Sequence, residues 1–139
     1  MIERDKKLQQ LVELAKENTD IAVLWLYGSR AKGTAHQDSD YDLAVAFVSF
    51  IKNDPIEKRL RPECLALDWQ KILKLPDFKL SLVDINQVSL FLAWEIIRVD
   101  CVLFCRDKSR FWQEICRIHS RMELDYVPRL PHCNQTTLR

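Results

Sequence analysis

The stretch LYGSRAKGTAHQDSDYDLAV, residues 26–45, contains both glycines of the chain, Gly28 and Gly33, and a pair of aspartates, Asp40 and Asp42. In an extended strand, residues i and i+2 face the same side, so the two carboxylates project together while Tyr41 points away. Like charges so close repel unless a cation is shared. Hard oxygen ligands at this spacing suit Mg²⁺, which keeps waters and takes phosphate oxygens as its remaining ligands. The glycines bracket Ser29, Arg30, Ala31 and Lys32. Glycine permits positive φ and close backbone approach, so a turn here can aim N–H groups at a phosphate while Arg30 and Lys32 add positive charge. An ordinary connection in which Asp38, Ser39 and Asp40 cap a turn has the same composition.

A third acid would complete such a centre. Asp84 ends the alternating run KLSLVDI, after the core positions Leu80 and Leu82. If that strand lies beside the one bearing Asp40 and Asp42, Asp84 joins them at one edge, where it can bind a second metal ion or take a proton from an attacking hydroxyl. The competing reading makes Asp84 a cap for a helix beginning near Gln87. His36, inside the loop, reads as a solvent-facing histidine in preference to a phosphate contact.

These residues need elements to position them. Residues 2–17 place Leu8, Leu11, Leu14 and Ala15 at helical spacing among charges, the pattern of an amphipathic helix. IAVLWLYGS reads as a buried strand entering a tight turn, and DYDLAVAFVSF as a second strand. Asn53–Pro62, with two prolines, reads as a connection, followed by a helix from about Glu63 to Lys74. FKLSLVDI gives a third strand, Gln87–Val99 a helix, CVLFC a short fourth strand and Asp107–Met122 a last helix capped near Asp107 or Ser109. Strands interspersed with helices predict a small mixed α/β (α+β) domain, one sheet with helices against it. The domain is expected over residues 1–127, with residues 128–139 a flexible or partner-docking tail.

Composition narrows the function. At 139 residues with 47% hydrophobic side chains, the chain fits one soluble domain and no second substrate domain. A net charge of +1 argues against a broad electrostatic grip on nucleic acid. No stretch is long and apolar enough to span a bilayer, and the charged beginning MIERDKKLQQ lacks the apolar core of a secretory signal, so a cytoplasmic location is expected. The five cysteines form no CxxC pair and read as reduced thiols. Of the four tryptophans, Trp69 and Trp112 are expected at the surface because of their charged neighbours.

GSRAKGTAHQDSDYDLAV resembles the signature of the nucleotidyltransferase superfamily that includes DNA polymerase beta, and within it the minimal nucleotidyltransferase group: Gly-Ser, ten residues, then Asp-x-Asp. LVDINQVSLFLAWEIIRVDCVLF is similar to the downstream part, so the likeness covers roughly residues 8–121. The chain departs from the group in having Val99 and Asp100 where a glycine is usual. The resemblance implies that Gly28 and Ser29, with Arg30 beside them, hold the triphosphate of ATP, that Asp40 and Asp42 bind Mg²⁺, and that Asp84 is the third carboxylate of a two-ion centre and the candidate base. It implies attack of an acceptor hydroxyl on the α-phosphate, with release of pyrophosphate. Stand-alone members of the group are often paired with a helical HEPN ribonuclease toxin. The resemblance thus implies the antitoxin of a type VII pair, a protein adenylyltransferase modifying a toxin tyrosine in a hetero-oligomeric complex. The alternatives are an antitoxin that acts by occlusion alone, and transfer to a small molecule or nucleic acid.

Overall fold

The computed structural model describes residues 6–33, 40–76 and 79–125. The element order is α1 (Lys6–Glu17), β1 (Ile21–Tyr27), α2 (Ser29–Lys32), β2 (Tyr41–Phe47), α3 (Pro55–Ile72), β3 (Leu80–Asp84), α4 (Leu90–Val99), β4 (Val102–Cys105) and α5 (Lys108–Asp125). The expected tail, His36, His132 and Cys133 lie outside the described residues. The mixed α/β class read from the sequence is the one observed. Among the described residues no helix is long and apolar enough to cross a membrane.

The strands form one sheet in the order β3-β2-β1-β4. β1 runs antiparallel to both neighbours, and β2 runs parallel to β3. β1 lies in the interior of the sheet and is covered on both sides, which is why IAVLWLY is an unbroken apolar run without alternation. Leu24, Leu26, Leu43, Val45, Leu80 and Leu82 meet Leu8, Leu11 and Ala15 of α1 and Ala66 and Trp69 of α3 on one face. Val23, Trp25, Ala44 and Ala46 meet Ala93, Ile96 and Ile97 of α4 and Ile118 and Met122 of α5 on the other. Each fully buried aliphatic side chain contributes roughly 1.5–3 kcal/mol relative to exposure.

The expected start of α3 needs correction. The helix begins eight residues before Glu63, at Pro55, because Asp54 caps it by accepting from Glu57 N at 3.0 Å and proline is favoured in the first turn. Pro62 then falls inside the helix instead of ending it. Proline at that position cannot donate to the Lys58 carbonyl one turn earlier, and the side chain of Gln87 supplies the missing donor at 2.7 Å. A tertiary contact thus compensates for the helix breaker. Trp69 is also corrected: it lies on the buried stripe Pro62, Ala66, Trp69 and Leu73, whereas its charged neighbours Asp68 and Lys71 lie on other faces of the helix. Trp112 is 60% exposed, as expected.

The usual glycine after α4 is replaced without loss of the turn. Asp100 adopts φ 58°, ψ 46°, the left-handed conformation that Asp tolerates better than most residues.

A buried polar cluster locks α5 to the sheet. Glu114 accepts from Arg110 Nε at 2.8 Å, Arg117 Nη2 at 2.8 Å and Asn86 Nδ2 at 3.0 Å, and Arg110 also donates to the Phe47 carbonyl at 2.7 Å. Burial works to raise the Glu114 pKa, but hydrogen bonds from Asn86, Arg110 and Arg117 outweigh it and hold the carboxyl below the usual glutamate range. A folded pKa depressed in this way contributes stability above the ordinary glutamate pKa, and that contribution is lost as pH falls through the lowered value. Glu114→Gln, which leaves Arg110 buried without its partner charge, is expected to cost about 3 kcal/mol at neutral pH. Part of the acid limb of the stability curve should vanish with it, as read by urea unfolding across the acid range.

Candidate active site

β1 ends at Tyr27, and the chain turns at once through Gly28 into the single helical turn of α2. Gly28 has φ 75° and ψ −158°, a region essentially reserved for glycine. A Cβ there would collide with Oδ2 of Asp42, so the missing side chain is what lets the loop backbone lie against that carboxylate. Gly33 closes the turn at φ 77°, ψ 10°, with its N–H donating to the Ser29 carbonyl, and a Cβ at Gly33 would meet nothing within 4 Å. The two glycines therefore differ: the first admits a functional group, the second only shapes a turn.

The β1–β2 register sets Tyr27 opposite Asp42, and the parallel β2–β3 register sets Ser81 beside Asp42. By alternation Asp42 shares a sheet face with Ala44 and Ser81, while Tyr41 turns to the opposite face and is buried there. Asp40, just before β2, is exposed and near enough for its charge to act on Asp42. Burial, and then the Asp40 charge, push the Asp42 carboxyl above the usual aspartate range. Tyr27 is pushed up to about 12, by burial first and then by Asp42, so its phenol stays protonated at neutral pH. The sequence reading missed Tyr27; its signal was its place directly before Gly28.

Asp84 is not where it was expected. It is paired with Val45, three positions along from the Asp42–Ser81 pair, and that odd offset puts it on the opposite face of the sheet from Asp42. Its carboxylate is engaged in the turn that leads to α4. Oδ1 accepts from Asn86 N at 2.9 Å, Oδ2 accepts from Gln87 Nε2 at 3.0 Å, and Arg61 Nη2 stands 4.0 Å away. The backbone carbonyl of Asp84 accepts from the N–H groups of Gln87 and Val88. Asp84 thus faces away from the carboxylate pair, and it is not the cap of α4 either: Ser89 caps that helix, its side chain accepting from Leu92 N at 3.2 Å. Among the described residues no group of three or more His, Cys, Asp or Glu side chains gathers as a metal site.

The basic residues of the loop also have partners. Arg30 stacks over the Tyr41 ring at 3.9 Å, and Lys32 pairs with Glu95 of α4 at 3.1 Å. Hydrogen bonding and charge from Lys32 hold the Glu95 pKa below its usual range. These contacts tie the loop to β2 and to α4.

The donor set fits one divalent ion held by Asp40 and Asp42: two adjacent carboxylates whose mutual repulsion a cation relieves, at an open edge where waters and phosphate oxygens complete the shell. Among the described residues it offers no third carboxylate for a second ion.

A family model described as polymerase beta, nucleotidyltransferase, matches residues 9–109. The chain is 30% identical over 89 residues to the protein adenylyltransferase MntA of Aphanizomenon flos-aquae (strain 2012/KM1/D3), a match covering 60% of this chain and 57% of that one. The chain thus spans little more than half the length of this relative. Among solved structures, a toxin–antitoxin complex with AMP-PNP superposes with a TM-score of 0.64 at 21% identity, over 84% of this chain and 88% of that one. A tri-AMPylated Shewanella oneidensis HEPN toxin in complex with its MNT antitoxin gives 0.62 at 16% identity, over 86% of each chain. At these identities the likeness is one of fold.

Two outcomes are expected of this geometry. Gly28→Ala should lose about 1–3 kcal/mol of stability and any nucleotide binding at the loop, whereas Gly33→Ala should lose about 1–2 kcal/mol and keep it, as thermal melts and nucleotide titrations of both variants will show. Because folding raises the Asp42 pKa, the folded chain binds that proton more tightly than the unfolded chain, and stability falls as pH rises through the raised value. Asp42→Asn is therefore expected to melt above the parent at neutral pH in EDTA, with the difference disappearing at strongly acid pH, where Asp42 is protonated in both states; calorimetry at the two pH values is the check.

Proposed function

Because the chain belongs to the polymerase beta type nucleotidyltransferase family, we propose that it is an antitoxin that transfers AMP from ATP to a tyrosine hydroxyl of a HEPN toxin. The observation that carries this reading is the contact of Gly28 with Asp42, which brings the Gly-Ser loop and the carboxylate pair into one site. Support for the donor and the partner comes from the named relatives: an adenylyltransferase, a toxin–antitoxin complex with AMP-PNP, and an AMPylated HEPN toxin in complex with an antitoxin. A cytoplasmic place of action belongs to the same reading.

In the reaction, the tyrosine oxygen forms a bond to the α-phosphorus, the bond from that phosphorus to the α–β bridging oxygen breaks, and pyrophosphate leaves with the electron pair. The tyrosine proton passes to solvent. Mg²⁺ bound by Asp40 and Asp42 would neutralise charge on the phosphate oxygens and align nucleophile and leaving group. Gly28 and Ser29 bring loop backbone close to the triphosphate, and the Lys32–Glu95 pair braces that loop against α4. Tyr27, held as a neutral phenol beside Asp42, presents a donor and not a further negative charge to the site. In this reading the partner's own surface orients the acceptor.

A second reading, an antitoxin that silences its partner by occlusion, is favoured by one observation: Asp84 faces away from the carboxylate pair. Intact-mass measurement separates the two. Incubation of the chain with Mg²⁺, ATP and its HEPN partner should add one or more adenylate units to the partner, and Asp40→Asn with Asp42→Asn should reduce the transfer by at least about a hundredfold. A partner that binds tightly and stays unmodified would select occlusion.

A further inference from the structure

We infer that Ser81 occupies the third protein position of the metal site, and that its neutral hydroxyl restricts the site to one firmly held divalent ion. The inference rests on the nucleotidyltransferase reading and deepens it. Ser81 is the β3 residue in register with Asp42, on the same sheet face, and it is exposed to solvent. Its neighbours on that face, Val83 of β3 and Ala44 of β2, carry no ligand atoms. Asp84, one residue beyond Val83, is excluded by its face and by its bonds to Asn86 and Gln87. Glu95, the carboxylate that reaches the glycine loop, is engaged by Lys32 at 3.1 Å and by Arg98 at 3.6 Å. Position 81 is thus where β3 can add an oxygen ligand to those of Asp40 and Asp42, and a serine there supplies one without charge.

Two consequences follow from charge. Affinity of an oxygen site for a divalent cation rises with the number of carboxylates, so this site is weaker than a three-carboxylate site of the same shape. Among the described residues, moreover, no carboxylate beyond the metal-holding Asp40 and Asp42 and the Lys32-paired Glu95 is placed to receive the acceptor proton. A phenol, with a pKa near 10, gives up its proton to solvent far more readily than an ordinary alcohol, so the two-carboxylate site favours tyrosine over serine as acceptor.

The test is Mn²⁺ binding to the full chain without nucleotide, followed by the paramagnetic resonance signal of the free ion. Ser81→Asp should tighten Mn²⁺ binding about tenfold or more and move the stoichiometry toward two ions, whereas Ser81→Asn, which adds bulk without charge, should match the parent. Asp84→Asn should also match the parent at temperatures below its melting point, while the Asp40→Asn, Asp42→Asn double variant should lose binding. Unchanged affinity in Ser81→Asp, checked with Ser81→Glu if the first variant misfolds, would overturn the inference while leaving the Asp40–Asp42 site standing. Weakened binding in Asp84→Asn would overturn it by returning Asp84 to the site. Parent-like binding in the double variant would sink the nucleotidyltransferase site itself, and the inference with it.

Discussion

Everything at the candidate site depends on the absence of one carbon atom. The antiparallel pairing of β1 with β2 sets Tyr27 against Asp42, so the residue after Tyr27 must pass directly over a carboxylate. Only a residue without Cβ can do so at φ 75°, ψ −158°. Once Gly28 allows that approach, the loop, the carboxylate pair and the end of the innermost strand become a single construction. The rest of the fold serves to keep β1 and β2 in that register.

It does so from both faces. α1 and α3 cover one side of the sheet and α4 and α5 the other, leaving β1 without solvent contact along most of its length. Two polar devices stiffen the arrangement at the far end of β2. Arg110 and Glu114 hold α5 to the Phe47 carbonyl and to Asn86, and Asp84 with Gln87 closes the turn into α4 while completing the hydrogen bonding of a proline-interrupted α3. Asp84, at 5% exposure, is thus bonded to the turn that follows β3 and stands near Arg61 of α3.

Much of this was legible in the chain itself. The i, i+2 spacing of Asp40 and Asp42, the unbroken apolar run of β1 and the stripe of α1 follow from local periodicity, and the structure reproduces each. What local pattern could not carry was the relation between strands. Whether Asp84 or Ser81 stands beside Asp42 depends on the parity of the β2–β3 register, which no single strand encodes. Pro62 and Trp69 misled for the same reason. The carbonyl that Pro62 leaves unpaired is satisfied by Gln87, distant in sequence, and the side of α3 that is buried is chosen by the sheet it meets. The turn at Asp100 shows the converse, a residue other than glycine accepting left-handed geometry.

The strain on Asp42 has a bearing on history. Both its partial burial and its acidic neighbour disfavour the charged form, so ionised Asp42 is a burden on the fold. Drift under selection for stability alone would tend to erase such a residue, and with it the reason for a glycine at position 28. In this chain the two stand in contact, so the glycine that admits the carboxylate and the carboxylate that the scaffold disfavours come as a pair.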